Sequence, residues 1–122
     1  MPKILIVEDN EMNSNMLSRR LLRHGFATCI AEDGPSGITM AEAEQPDVIL
    51  MDVALGAMDG WEATVAIRSN ERTRGIPVIA LTAHALSSDR AKSISVGCAD
   101  FDTKPVDMPR LLGKIARCLE AR

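Results

Sequence analysis

Glu8, Asp9, Asp52, Thr82 and Lys104 each stand directly after, or close behind, a short apolar run, and together they offer three carboxylates, one hydroxyl and one ammonium. Carboxylates gathered in one crevice repel one another unless a cation neutralises them. An all-oxygen ligand set with room for water suits Mg²⁺, which keeps several waters and bridges to phosphate oxygens. A lysine adds a point charge able to pair a carboxylate or a phosphoryl oxygen. Single members have simpler readings. An acid at a strand end is most often a helix cap, and that is the reading for Asp33. Glu8-Asp9 alone could also cap the helix that follows. A cap does not account for Asp52 behind a fully apolar run, nor for Lys104 opposite it.

Such residues act together only if the elements around them bring them to one place. Four apolar runs stand out: Ile4–Val7, Thr28–Ala31, Val48–Met51 and Val78–Leu81, with a weaker fifth at Cys98–Asp102. The first, third and fourth are continuously aliphatic, the pattern of strands covered on both faces. Helix-length segments separate them. Residues about 10–24 carry Asn13, Leu17 and Leu21 at steps of four and stop at Gly25. Residues about 34–45 end before Pro46. Residues about 59–70 place Ala63 and Ile67 on one face. Residues about 86–96 carry Ala91 and Ile94 and stop at Gly97. The last segment has Asp107 as N-cap, Pro109 in its first turn, and Met108, Leu111, Leu112, Ile115 and Leu119 at helical spacing.

Five strands alternating with five helices predict an α/β fold, a parallel sheet with helices on both faces and right-handed crossovers. Five strands suit the flavodoxin-like, doubly wound order 2-1-3-4-5, in which strands 1 and 3 meet at the switch point where ligands bind. Glu8, Asp9 and Asp52 would converge there, with Thr82 and Lys104 at the neighbouring strand ends.

Composition removes other classes. The 122 residues fit one domain that can bury roughly two thirds of its unfolded surface without a disulfide or metal staple. A formal net charge of -3 without a basic stripe argues against nucleic acid, and Arg19, Arg20 and Arg23 read as the solvated face of a helix. Phe26, Trp61 and Phe101 lie too far apart for a base-stacking platform. The aliphatic runs are far below the roughly 18 residues a membrane span needs, and no signal peptide is visible. Cys29, Cys98 and Cys118 read as reduced core residues of a cytoplasmic protein.

The pattern resembles the receiver domain of two-component response regulators over essentially the whole length, of the chemotaxis and cell-division single-domain type. The resemblance rests on Glu8-Asp9, on Asp52, on Met58-Asp59-Gly60 six to eight residues later, on Thr82-Ala83, and on Asp100-Phe101-Asp102-Thr103-Lys104-Pro105. The stretch Val7–Asn13 looks most like receivers of hybrid kinases and stand-alone cell-division regulators. The resemblance implies that Asp52 is the phosphoacceptor. It implies that Asp9, Asp52 and the Ala54 carbonyl bind Mg²⁺, with Glu8 acting through a metal-bound water. Thr82 and Lys104 would contact phosphoryl oxygens, Ala83 would leave access, and the Lys104–Pro105 bond would be cis. Phosphorylation would draw Thr82 inward and let Phe101 rotate into the vacated space, switching the face of the fourth helix, fifth strand and fifth helix. The implied partners are a histidine kinase or histidine phosphotransfer protein and a downstream protein, with no nucleic acid and no membrane insertion. Helix 1 with its arginines is the implied kinase-docking surface. Because the fold would consume residues 1–122, no output domain is expected.

Two departures bear on behaviour rather than class. Gly56 stands where related sequences usually carry Pro, which loosens the loop. Ala54 and His84 flank the path of an attacking water and would influence dephosphorylation. A phosphatase with an Asp nucleophile would need a second acid at Ala54. A flavodoxin-like carrier would need a Ser/Thr/Gly-rich phosphate loop after strand 1. A degenerate, binding-only receiver is argued against by the full acidic set.

Overall fold

The computed structural model describes residues 1–83 and 87–121. Five strands, β1 (Lys3–Val7), β2 (Ala27–Ala31), β3 (Val48–Asp52), β4 (Val78–Thr82) and β5 (Asp100–Thr103), alternate with five helices, α1 (Glu11–Arg23), α2 (Gly34–Glu44), α3 (Gly60–Ser69), α4 (Ser87–Ser95) and α5 (Met108–Glu120). The strands form one parallel sheet in the order β2-β1-β3-β4-β5. This is the doubly wound arrangement that the strand pattern predicts.

The sheet separates two apolar layers. One holds Ile4, Ile6, Leu50 and Ile79 with Leu17 and Leu21 of α1 and Leu111 and Ile115 of α5. The other holds Leu5, Val7, Ile49 and Met51 with Ala41 of α2 and Ala63 and Ile67 of α3. Successive residues of β1 and β3 point into opposite layers, which is why these strands are aliphatic without alternation.

Helix ends follow the cap chemistry. Asn10, Asp33, Asp59 and Asp107 each accept from the backbone N–H three residues on. The cap of α1 is therefore Asn10 and not Glu8 or Asp9, which leaves those two acids for other work.

Three local expectations differ from the structure. Asn13 is exposed, and the inner face of α1 is Ser14, Leu17, Ser18 and Leu21. Small serines let the helix approach the sheet, where the Ser18 hydroxyl meets the Thr28 hydroxyl at 2.6 Å. In α4 the buried residue is Ser93, while Ile94 is 69% exposed. Strand β5 begins at Asp100, two residues later than the weak apolar run suggests, because its pairing with β4 starts with Ile79 opposite Asp100.

Candidate phosphoryl-transfer site

The carboxyl ends of β1, β3, β4 and β5 carry the site, and backbone bonds past those ends hold it in register. Glu8 N–H donates to the Ala31 carbonyl, Val53 N–H to Leu81, and Lys104 N–H to Thr82, at 2.7–3.0 Å. Ligand oxygens of Glu8, Asp9 and Asp52 lie within 4.8 Å of one another. Asp52 is 3% exposed and Glu8 is buried, whereas Asp9 faces solvent. This all-oxygen, partly open set fits a hard divalent cation that keeps some of its water.

Lys104 closes the cluster. Its Nζ lies 2.9 Å from Glu8 Oε1 and 3.2 Å from Asp52 Oδ2. Burial pulls the Lys104 ammonium down, but Glu8 and Asp52 outweigh that and hold it above its ordinary range. Burial, and then the Asp52 carboxylate, push Glu8 up to about 7 against the pull of Lys104. The site therefore stores unfavourable negative charge that a bound cation would relieve.

The remaining sequence-predicted residues fall around this centre. Asp52 Oδ1 accepts from the backbone N–H of Ala54 at 3.1 Å. Thr82 is buried, and its hydroxyl donates to Asp89 Oδ2 of α4 at 3.4 Å. Ala83 is exposed beside it. The Lys104–Pro105 peptide is cis. Phe101 is half-buried on β5, with β4 between it and the strand that carries Asp52. His84 lies outside the described residues.

Structure gives Gly60 a physical reason and adds Arg110, which the sequence does not mark. A Cβ on Gly60 would stand 2.2 Å from the carbonyl oxygen of Asp52 and 2.6 Å from Val53 Cα. Only glycine lets α3 start against the backbone of the predicted acceptor, which explains Met58-Asp59-Gly60 at its distance from Asp52. Arg110 Nε reaches the buried Asp102 at 2.7 Å, and its guanidinium also approaches Thr103 and Asp107. That clamp ties the start of α5 to the strand that leads into Lys104. Beside the site a groove of about 550 Å³ runs between α1 and residues 104–106, lined by Met16, Leu17, Arg20 and Val106.

Comparison with known proteins agrees with this geometry. Residues 4–116 match the family described as the response regulator receiver domain. The polar-differentiation response regulator DivK of Brucella anthropi is 35% identical, over 94% of this chain and 94% of its own length. Hybrid signal transduction histidine kinase I of Dictyostelium discoideum is 38% identical over 93% of this chain, which spans 7% of that much longer protein. The solved receiver domain of a sensor histidine kinase from Pseudomonas aeruginosa, with a magnesium ion coordinated in its active site cleft, superposes with a TM-score of 0.89. It is 36% identical, and 98% of each chain is covered. With the match running from the first strand into the last helix, and with the acids, threonine and lysine grouped at the carboxyl ends of the sheet, the chain belongs to the response regulator receiver family of signalling domains.

Proposed function

We propose that this receiver accepts a phosphoryl group from a phosphohistidine onto Asp52 and uses it to change which proteins it binds. The observation that carries this reading is the pairing of Asp52 with Lys104 at 3.2 Å inside the acidic cluster. A carboxylate oxygen of Asp52 forms the new bond to phosphorus in line as the bond from phosphorus to the donor imidazole nitrogen breaks. The donor histidine leaves and an acyl phosphate remains. The Ala54 N–H orients the carboxylate, and the Lys104 ammonium stands where charge on the transferring group must be met. The Thr82 hydroxyl, buried at the next strand end, would turn to a phosphoryl oxygen.

Glu8, Asp9 and Asp52, with the Ala54 carbonyl, would hold Mg²⁺, which when bound neutralises their charge and that of the phosphoryl group. The magnesium in the Pseudomonas aeruginosa receiver domain supports this assignment. The residue two after the acceptor is Ala54, so a second acid suited to phosphatase turnover is lacking there. That favours a signalling role over a turnover enzyme.

The donor, a histidine kinase or phosphotransfer protein, would dock along α1 and the 104–106 loop. Arg19, Arg20 and Arg23 are exposed there, beside exposed Met12 and Met16. The downstream protein would read the α4–β5–α5 face, in the cytoplasm. No helix among the described residues is long and apolar enough to cross a membrane.

Incubation with acetyl phosphate and Mg²⁺, followed by intact mass, tests the assignment. Wild type should gain one phosphoryl group and Asp52→Asn none. A label retained by Asp52→Asn would overturn it. Charge reversal at Arg19, Arg20 and Arg23 should slow transfer from the cognate kinase while leaving acetyl phosphate labelling intact.

A further inference from the structure

Lys114 lies on the side of α5 that faces β5, with its side chain only 17% exposed. Withdrawing an ammonium from water costs free energy unless partners replace the water. It finds three on one strand. Nζ donates to the backbone carbonyl of Phe101 at 2.6 Å, pairs with Asp100 Oδ1 at 3.5 Å, and stands 5.8 Å from the centre of the Phe101 ring. A cation within about 6 Å of a ring centroid is attracted to the negative face of the ring.

The arrangement has a specific consequence. Two of the three partners, the Phe101 carbonyl and the Asp100 carboxylate, do not move when the Phe101 ring turns about its own side-chain bonds. The ammonium is therefore fastened to the backbone of the residue whose ring it covers. Turning the ring away loses the ring contact and leaves the charge behind.

We propose that Lys114 is a positioning residue that sets the rest position of the Phe101 ring and so the balance between the two states of the switch. This rests on the reading of Phe101 as the aromatic that turns inward on phosphorylation. A ligand that favours the turned state must overcome the ring contact, and removal of the contact tightens that ligand by the same factor. For a partly exposed cation–ring pair the factor is about threefold.

The chain has two phenylalanines and no tyrosine, so 4-fluorophenylalanine labelling yields two fluorine resonances. Phe26 packs on the α1 side of the core and serves as the internal reference. The probe is Mg²⁺ with beryllofluoride, which mimics a phosphoryl group on a carboxylate. In wild type the Phe101 resonance should shift on saturation and Phe26 should not. In Lys114→Gln the free-state Phe101 resonance should already lie part of the way to the saturated position, with beryllofluoride bound about threefold tighter. Lys114→Met keeps the buried stem and should behave like Lys114→Gln, while Lys114→Arg should restore wild-type values. Wild-type resonance and affinity in both Lys114→Gln and Lys114→Met would overturn the role of Lys114, as would an effect in Lys114→Gln alone, which would trace to lost packing. A Phe101 resonance that ignores beryllofluoride in wild type would instead overturn the switch reading, and this proposal with it.

Discussion

The centre of the sheet and its β5 edge are built from different forces. Strands β1, β3 and β4 are sealed by aliphatic side chains from both helical layers, with Leu5, Ile49, Leu50 and Ile79 fully buried. The β5 edge reads Asp-Phe-Asp-Thr and is held to α5 by charges: Asp100 by Lys114 and Arg117, Asp102 by Arg110. Close packing resists displacement because every shift opens a void or a clash. Ion pairs at a partly wet edge can exchange partners at small cost. Asp52, the proposed acceptor, thus sits on the part of the molecule that stays put, and the half-buried Phe101 sits on the part that can rearrange. The proposed function calls for both, a fixed nucleophile and an edge with two available states.

The sharpest way to break this contrast is to cut into each side and compare. Ile49→Ala should cost about 2–5 kcal/mol in denaturant unfolding, because it empties a filled site between β3 and the α2–α3 layer. A loss below about 1 kcal/mol would mean that the centre is no stiffer than the edge.

Charge in the middle of the centre should act in the opposite direction. The carboxyl of Glu8 is raised to about 7 from an ordinary 4.5. Between those values the folded chain keeps a proton that the unfolded chain has released, so the contribution of Glu8 to stability falls as pH rises through this window. Glu8→Gln should remove that fall and stabilise the metal-free protein at pH 8 by on the order of 1–3 kcal/mol. The same variant should bind Mg²⁺ more weakly. Wild-type Mg²⁺ affinity, followed by calorimetry, should climb with pH up to about 7 and then level off. Equal melting temperatures across that range in wild type and Glu8→Gln would refute the stored-charge account.

At the edge, Arg110→Ala should cost about 1 kcal/mol, since Asp102 stays buried with Thr103 N–H as a remaining donor. That cost should shrink in 1 M salt, where the Debye length is about 3 Å, while the cost of Ile49→Ala should not. The smallest effect belongs to Ile94→Ala on the outer side of α4, expected within about 0.5 kcal/mol by thermal melting. A larger loss would show that Ile94 packs inward after all.

How far the sequence could be read follows the same division. Aliphatic strands bounded by acids announce themselves, so β1, β3, β4 and the three carboxylates were legible, as were the caps at Asp33 and Asp107. Where polar residues do structural work, the pattern misleads. Ser14, Ser18 and Ser93 are buried while Asn13 and Ile94 face out, because small hydroxyls satisfied by nearby carbonyls or hydroxyls permit close helix–sheet contact. β5 is faint because an Asp-Phe-Asp-Thr strand is half ionic. The contacts of Lys114 and Arg110 could not be read at all. They depend on how α5 is rotated against β5, which is a property of the packed molecule and of no local spacing.

The approach of Gly60 to the Asp52 carbonyl has an implication for engineering. With no space for even a methyl group between them, the loop after Asp52 and the first turn of α3 form a single casting. A designer who wished to move this proposed phosphoacceptor onto another scaffold could not lift Asp52 and its neighbouring acids as a loop. The start of α3 would have to travel with them, side-chain-free at its first residue, or Asp52 would arrive displaced from the lysine that faces it.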